Sequence, residues 1–150
     1  MIKNNVTTQI HSGVYGINFN KQKTKVLLIL KARGPYKGMY DLPGGRIEEG
    51  ESKEYALNRE FQEEVGCDVE SHEFMYDDNY ECLYESQSRG NVNFHHTGSF
   101  YEVEIPVGVI VKSVPDGHDS MGAIYINLSD ISDKKVLVAP MALKAILSAI

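Results

Sequence analysis

Three carboxylates in the stretch Gly45 to Cys67, GRIEEGESKEYALNREFQEEVGC, have a spacing that can do chemistry: Glu60, Glu63 and Glu64 stand at i, i+3 and i+4. On a helix that spacing gathers them on one flank. Like charges so close repel, which costs stability unless a cation sits among them. A hard divalent ion, Mg²⁺ or Mn²⁺, suits carboxylate oxygens and suits phosphate chemistry, where it neutralises oxygens and activates water. The competing reading is a solvated charged face. The helical wheel weighs against it. Leu57, Phe61 and Val65 form the apolar stripe, and Glu64 falls inside or beside that stripe with Glu60 next to it. A half-buried carboxylate is expensive unless paired or metal-bound. Arg59 falls off the acidic face, with Glu51 earlier at the helix entrance. That pair reads either as a weak surface ion pair or as a buttress holding the helix against the preceding loop. Gly44 and Gly45 form a turn whose carbonyls are free to approach a cation.

The elements that must position these residues follow from local pattern. Ser52 is a natural N-cap, Glu54 suits the first turn and Gly66 a stop, so a helix is expected over Lys53 to Val65. Upstream, Gly13 to Phe19 and the apolar run Lys25 to Leu30 read as strands, the second buried on both faces. Arg33 to Gly38 and Asp41 to Gly45 read as turns. Downstream, strands are expected over Cys67 to Tyr76, Tyr80 to Ser86, Val92 to Ile105, Val107 to Val111 and Ala123 to Leu128. Asp77-Asp78-Asn79, Ser88 to Asn91 and Pro115-Asp116-Gly117 supply the turns between them. A last helix starts near Pro140, with Leu143, Ile146, Leu147 and Ile150 as its core stripe. One early helix, a long β region and a terminal helix suggest an α/β (α+β) fold with helices on both faces of a mixed sheet.

The chain has 150 residues and a formal charge of -6. That length fits one domain with a real core. The acidic balance argues against a nucleic-acid partner, and the longest apolar run is too short to span a membrane. The N-terminal stretch MIKNNVTTQI has no long apolar region, so with Cys67 and Cys82 as free thiols a reducing cytoplasm is expected. His95 and His96 point to opposite faces of a strand and cannot easily grip one ion. Tyr76, Tyr80 and Tyr84 read as strand packing. The oligomeric state stays open, a homodimer among the options.

The segment resembles the Nudix box of Nudix hydrolases at Gly45, Glu51, Arg59, Glu60, Glu63, Glu64 and Gly66, with the apolar Phe61 and Cys67 at its two bulky positions. At ~6–7% per residue type, seven matches at set spacing arise by chance in about one window in 10⁸. Tyr40 to Gly45 resembles the family's aromatic-x-Leu-Pro-Gly-Gly approach, and Tyr125 to Leu128 its late aromatic strand. The resemblance implies one Nudix hydrolase domain over residues 1–150, an α/β/α sandwich with a central mixed sheet. It implies Mg²⁺- or Mn²⁺-dependent hydrolysis of a diphosphate bond in a small nucleoside diphosphate linked to another group. By position Glu60, Glu63 and Glu64 become the metal ligands, with a Gly44 or Gly45 carbonyl assisting. Glu51 and Arg59 support them, and Arg33 and Arg46 meet the substrate's phosphates. A carboxylate activates the attacking water. Outside the box Asp119 is the first choice, ahead of Glu102 and Glu104. Specificity is expected in the loops Arg33 to Tyr40 and Gln87 to Gly98. The rival is a Nudix fold that senses a nucleotide without cleaving it. A different metal-dependent reaction on the same fold, such as isopentenyl diphosphate isomerisation, is disfavoured for lack of the additional segments it needs.

Overall fold

The computed structural model describes residues 6–150, so the first five residues of the N-terminal stretch lie outside it. The chain forms β1 (Thr7–Ile17), β2 (Lys25–Lys31), β3 (Tyr40–Asp41), β4 (Gly44–Arg46) and α1 (Lys53–Glu64). It continues through β5 (Ser71–Ser86), β6 (Gly90–Glu104), β7 (Ser120–Asn127), α2 (Leu128–Ser132) and α3 (Pro140–Ala149). A four-stranded mixed sheet runs β4-β1-β6-β5, with β1 and β6 parallel and the other pairs antiparallel. A three-stranded antiparallel sheet runs β3-β2-β7.

Alternation along the strands builds two cores. In β2, Leu27 and Ile29 join Leu57, Phe61 and Val65 on the α1 side. Val26 and Leu28 join Ala142, Ala145 and Ile146 on the α3 side. Four consecutive apolar residues are therefore buried on both faces, as a sheet between helices requires. The result is the expected α/β/α arrangement. Each fully buried Leu, Ile or Phe contributes roughly 1.5–3 kcal/mol.

Four local expectations are corrected. Asp77-Asp78-Asn79 is no turn: β5 runs through it, paired with β6 along its length. The triplet's polar groups find partners without leaving the strand. Asp77 accepts from Ser99 and meets Lys53, and Asp78 meets Lys144 of α3. Tertiary pairing overrides a local turn preference here. Val107 to Val111 is not a strand. Gly108 turns with φ 84°, and Val107 and Ile110 stand in solvent, 104% and 93% exposed. Residues 67–70 precede β5 and form no strand. The core face of α3 is Met141, Ala142, Ala145 and Ile146, while Leu147 and Ile150 are exposed. The sheet side of that core is crowded with the rings of Tyr76, Tyr80 and Phe100, so small alanines let the helix approach.

Candidate active site

The helix that carries the carboxylates starts where Ser52 Oγ accepts the Tyr55 N–H at 3.1 Å. It ends where Gly66, at φ 87°, donates its N–H to the Phe61 carbonyl. Its buried face is Ala56, Leu57, Phe61 and Glu64. Glu64 is only 2% exposed and accepts the Gly44 N–H at 2.8 Å. Burial, then the charge of Glu60, holds its carboxyl well above the usual range. Glu60 is pushed up to about 7, burial again leading and the Arg59 hydrogen bond opposing.

The two glycines are dictated by these carboxylates and by strand pairing. A Cβ on Gly45 would stand 2.7 Å from Glu60 Oε1. On Gly44, whose φ is 148°, it would stand 2.1 Å from the Val14 carbonyl oxygen.

Arg59 is not off the acidic patch, as the wheel suggested, but reaches across it. Its Nε and Nη2 donate to the two oxygens of Glu51 at 2.7 and 2.9 Å, and Nη2 also donates to the Arg46 carbonyl. Its Nη1 donates to Glu60 at 2.9 Å and Glu63 at 3.3 Å. The long flexible side chain curls back over the turn, which a wheel cannot show. The Arg59 hydrogen bond in turn holds Glu51 below the usual carboxylate range. Loop and helix are thus pinned by one guanidinium.

Arg46, Arg59, Glu60 and Glu63 line a cleft of about 1100 Å³, while Glu51 and Glu64 stand behind it as their supports. Lys31, Arg33, Lys37, Arg46, Arg59, Arg89 and Lys112 line it, matched by an equal number of carboxylates. Seven of the 15 Lys and Arg residues of a protein of net charge -6 thus line one cleft, whose side-chain charges balance. Asp119, on the loop before β7, lines the same cleft, whereas Glu102 and Glu104 do not. Arg33 donates to the carbonyls of His118 and Gly117 at 2.9 and 3.1 Å and stands 3.7 Å from Asp119. Its guanidinium is largely committed to holding that loop.

The rest of the cleft is aromatic. Tyr15, Tyr36, Tyr84, Phe94, His11 and His96 line it. Tyr36, Phe94 and His96 fall within the two stretches in which the sequence places specificity, Tyr84 reads as strand packing, and His11 and Tyr15 carry no signal. No motif marks these residues; only strand register brings His11 opposite His96. Asp41, buried and pushed up to about 6, was also missed as a lining residue.

The NUDIX domain pattern matches residues 9–136. The chain belongs to the Nudix family. It is 40% identical over 57 residues to the ADP-ribose pyrophosphatase of Methanocaldococcus jannaschii, covering 38% of this chain and 34% of that protein. The chain spans about a third or less of the length of the curated relatives it matches. Among solved structures, a MutT NUDIX hydrolase from Burkholderia pseudomallei superposes with TM-score 0.66 at 20% identity, over 93% of this chain and 97% of that one. Shewanella oneidensis NrtR complexed with a 27mer DNA superposes with TM-score 0.64 at 23% identity, over 91% of this chain and 59% of that one. Likenesses at these identities carry the fold.

The donor set of this Nudix site fits a divalent cation in chemistry. Three glutamates supply hard oxygens, and two of them are held in a raised, proton-accepting range that a cation would reverse. One oxygen of each is engaged by Arg59 or Gly44. Among the described residues no three His, Cys, Asp or Glu side chains stand together as a ready-made cage. Also among them, no helix is long and apolar enough to cross a membrane.

Proposed function

We propose that this chain is a pyrophosphohydrolase that cleaves a diphosphate bond in a nucleoside diphosphate linked to another group. The observation that carries the reading is the placement of Glu60, Glu63 and Glu64 within one turn of α1, with Glu60 and Glu63 lining a cleft that Lys and Arg side chains also line and Glu64 buried against the Gly44 N–H. Glu60, Glu63 and Glu64, with a Gly44 or Gly45 carbonyl, would hold Mg²⁺ or Mn²⁺. When bound, such an ion neutralises phosphate oxygens and lowers the pKa of a coordinated water.

The chain's own residues supply the rest. Lys31 and Arg46 receive the phosphates, with Arg33 contributing what its loop contacts leave free. Asp119 takes the proton of the attacking water, and the Arg33 contacts fix the loop that carries it. Arg59 and Glu51 hold Glu60 and Glu63 in place, so reaction rests on positioning and charge neutralisation. The cleft volume suits a nucleoside diphosphate with a second moiety attached. ADP-ribose, the substrate named for the archaeal relative, heads the substrate classes, followed by nucleotide sugars, dinucleoside polyphosphates and nucleoside triphosphates.

A cytoplasmic setting and the absence of a nucleic-acid partner belong to the same reading, resting on the free cysteines and the acidic charge. So does a homodimer as the open option for its assembly. The test is a screen of those substrate classes with Mg²⁺, read by release of phosphomonoester. Turnover is expected for at least one class. Tight nucleotide binding without turnover in any class supports the sensing alternative.

A further inference from the structure

Midway along the cleft, four polar aromatic side chains touch in series. Tyr36 Oη lies 2.9 Å from His96 Nδ1, His96 Nε2 lies 2.6 Å from Tyr15 Oη, and Tyr15 Oη lies a long 3.4 Å from His11 Nε2. Tyr36, His96 and Tyr15 are buried, His11 is half-buried, and all four line the cleft. A neutral imidazole has one N–H and one bare nitrogen. Both imidazoles are neutral near pH 7. Burial holds His11 down to about 4 and His96 to about 3, and nearby cationic groups add to it.

These heavy atoms admit two complete arrangements of protons. In one, His11 Nε2–H donates to Tyr15, Tyr15 to His96, and His96 Nδ1–H to Tyr36, whose own O–H proton is left for the cleft. In the other, Tyr36 donates to His96, His96 to Tyr15, and Tyr15 to His11, leaving Tyr36 a bare acceptor. Every internal group is satisfied either way, so changing direction breaks no buried hydrogen bond. Beyond the relay, Tyr84, packed edge-on against the buried Phe94, also lines the cleft and carries a ring of the kind that stacks on a planar group.

We propose that His11, Tyr15, His96 and Tyr36 form a reversible hydrogen-bond relay that offers either a donor or an acceptor, at the Tyr36 hydroxyl, to the heterocyclic base of the substrate. The site then accepts bases with an oxo group and bases with an amino group at the same ring position. The inference rests on the cleft being a nucleotide site.

Binding is measured by calorimetry for two matched pairs of 5′-monophosphates, inosine against adenosine and uridine against cytidine. Monophosphates contain no anhydride bond, so this readout is independent of hydrolysis. A failure of turnover and a failure of the relay are therefore distinguishable. Wild-type protein is expected to bind the members of each pair within about threefold of one another. Tyr15→Phe leaves His96 Nε2 without a partner. A buried bare nitrogen is tolerated better than a buried N–H, so the proton settles on Nδ1 and Tyr36 becomes a fixed donor. The oxo member of each pair should then be preferred by about tenfold. Tyr36→Phe should weaken both members alike, which keeps the proposal open to refutation should Tyr15→Phe not fold. The relay is overturned by any of four results: discrimination beyond about threefold in wild type, an unchanged ratio in Tyr15→Phe, a loss confined to one member in Tyr36→Phe, or no binding of either pair at millimolar concentration.

Discussion

At the scale of single residues, Glu64 carries opposite roles in folding and in activity. Buried at 2% exposure with a raised pKa, it opposes folding of the metal-free protein whenever it is ionised. Its folded pKa lies above its unfolded value, so the cost is full at high pH and fades as pH falls through the folded pKa. Glu60 behaves alike between about 7 and its ordinary 4.5. His11 and His96 act in the opposite sense. Their folded pKa values, about 4 and 3, lie below the ordinary 6.5, so stability drops as pH falls beneath that value. The glutamate contribution is therefore read as a difference. Glu64→Gln keeps an acceptor for Gly44 and should raise the metal-free Tm by a few degrees near pH 8, an advantage shrinking towards pH 5. A pH-independent difference in thermal scans would contradict this. The neighbouring glycines separate stability from activity. Gly44→Ala meets a strand carbonyl at 2.1 Å and should destabilise the fold, with a lowered urea midpoint. Gly45→Ala meets only the tip of Glu60 and should fold normally while losing on the order of tenfold or more in kcat. An unchanged kcat in Gly45→Ala would show that Glu60 is not held against Gly45.

At the scale of elements, α1 and the loops around it work as one unit. Arg59 ties Glu51, Arg46, Glu60 and Glu63 together, so Arg59→Ala should cut kcat more than it weakens metal binding. Unchanged kcat in steady-state assays would reduce the network to surface ion pairs. Arg33 ties down the loop that carries Asp119. If it holds the Asp119 loop as well as meeting phosphate, Arg33→Ala should lower kcat and raise KM, and its kcat loss should not add to that of Asp119→Asn. Additive losses would make Arg33 a phosphate contact alone. The helix, its cap and its stop were legible because Ser52, the Leu57–Phe61–Val65 stripe and Gly66 act locally. The buried β2 was legible for the same reason. The long β5 was not, since Asp77 and Asp78 are kept in the strand by Ser99, Lys53 and Lys144, all distant in sequence. The acidic end of the cleft was readable from one fixed spacing. The aromatic end was hidden because β1 meets β6 through parallel pairing across some eighty residues, and the 34–37 loop reaches β6 through a side-chain hydrogen bond between residues 60 apart.

At the scale of the molecule, net charge -6 sets the order of events. A polyphosphate approaching this protein is repelled on average, and the Lys and Arg side chains lining the cleft offer it local attraction. KM should therefore rise with ionic strength, because added salt screens that local attraction. The cluster of glutamates inside the cleft makes the same demand more strongly, since without a cation it would repel the phosphates the cleft gathers. The most direct measurement follows phosphomonoester release from the best substrate, with Mg²⁺ and with excess EDTA, for wild-type protein and Glu63→Gln. The predicted result is Mg²⁺-dependent turnover that EDTA abolishes, and a kcat lowered on the order of 10²-fold or more in the folded variant. Full turnover in EDTA, or a Glu63→Gln protein with wild-type kcat, would contradict the assignment of the α1 glutamates as the metal-holding centre of a pyrophosphohydrolase.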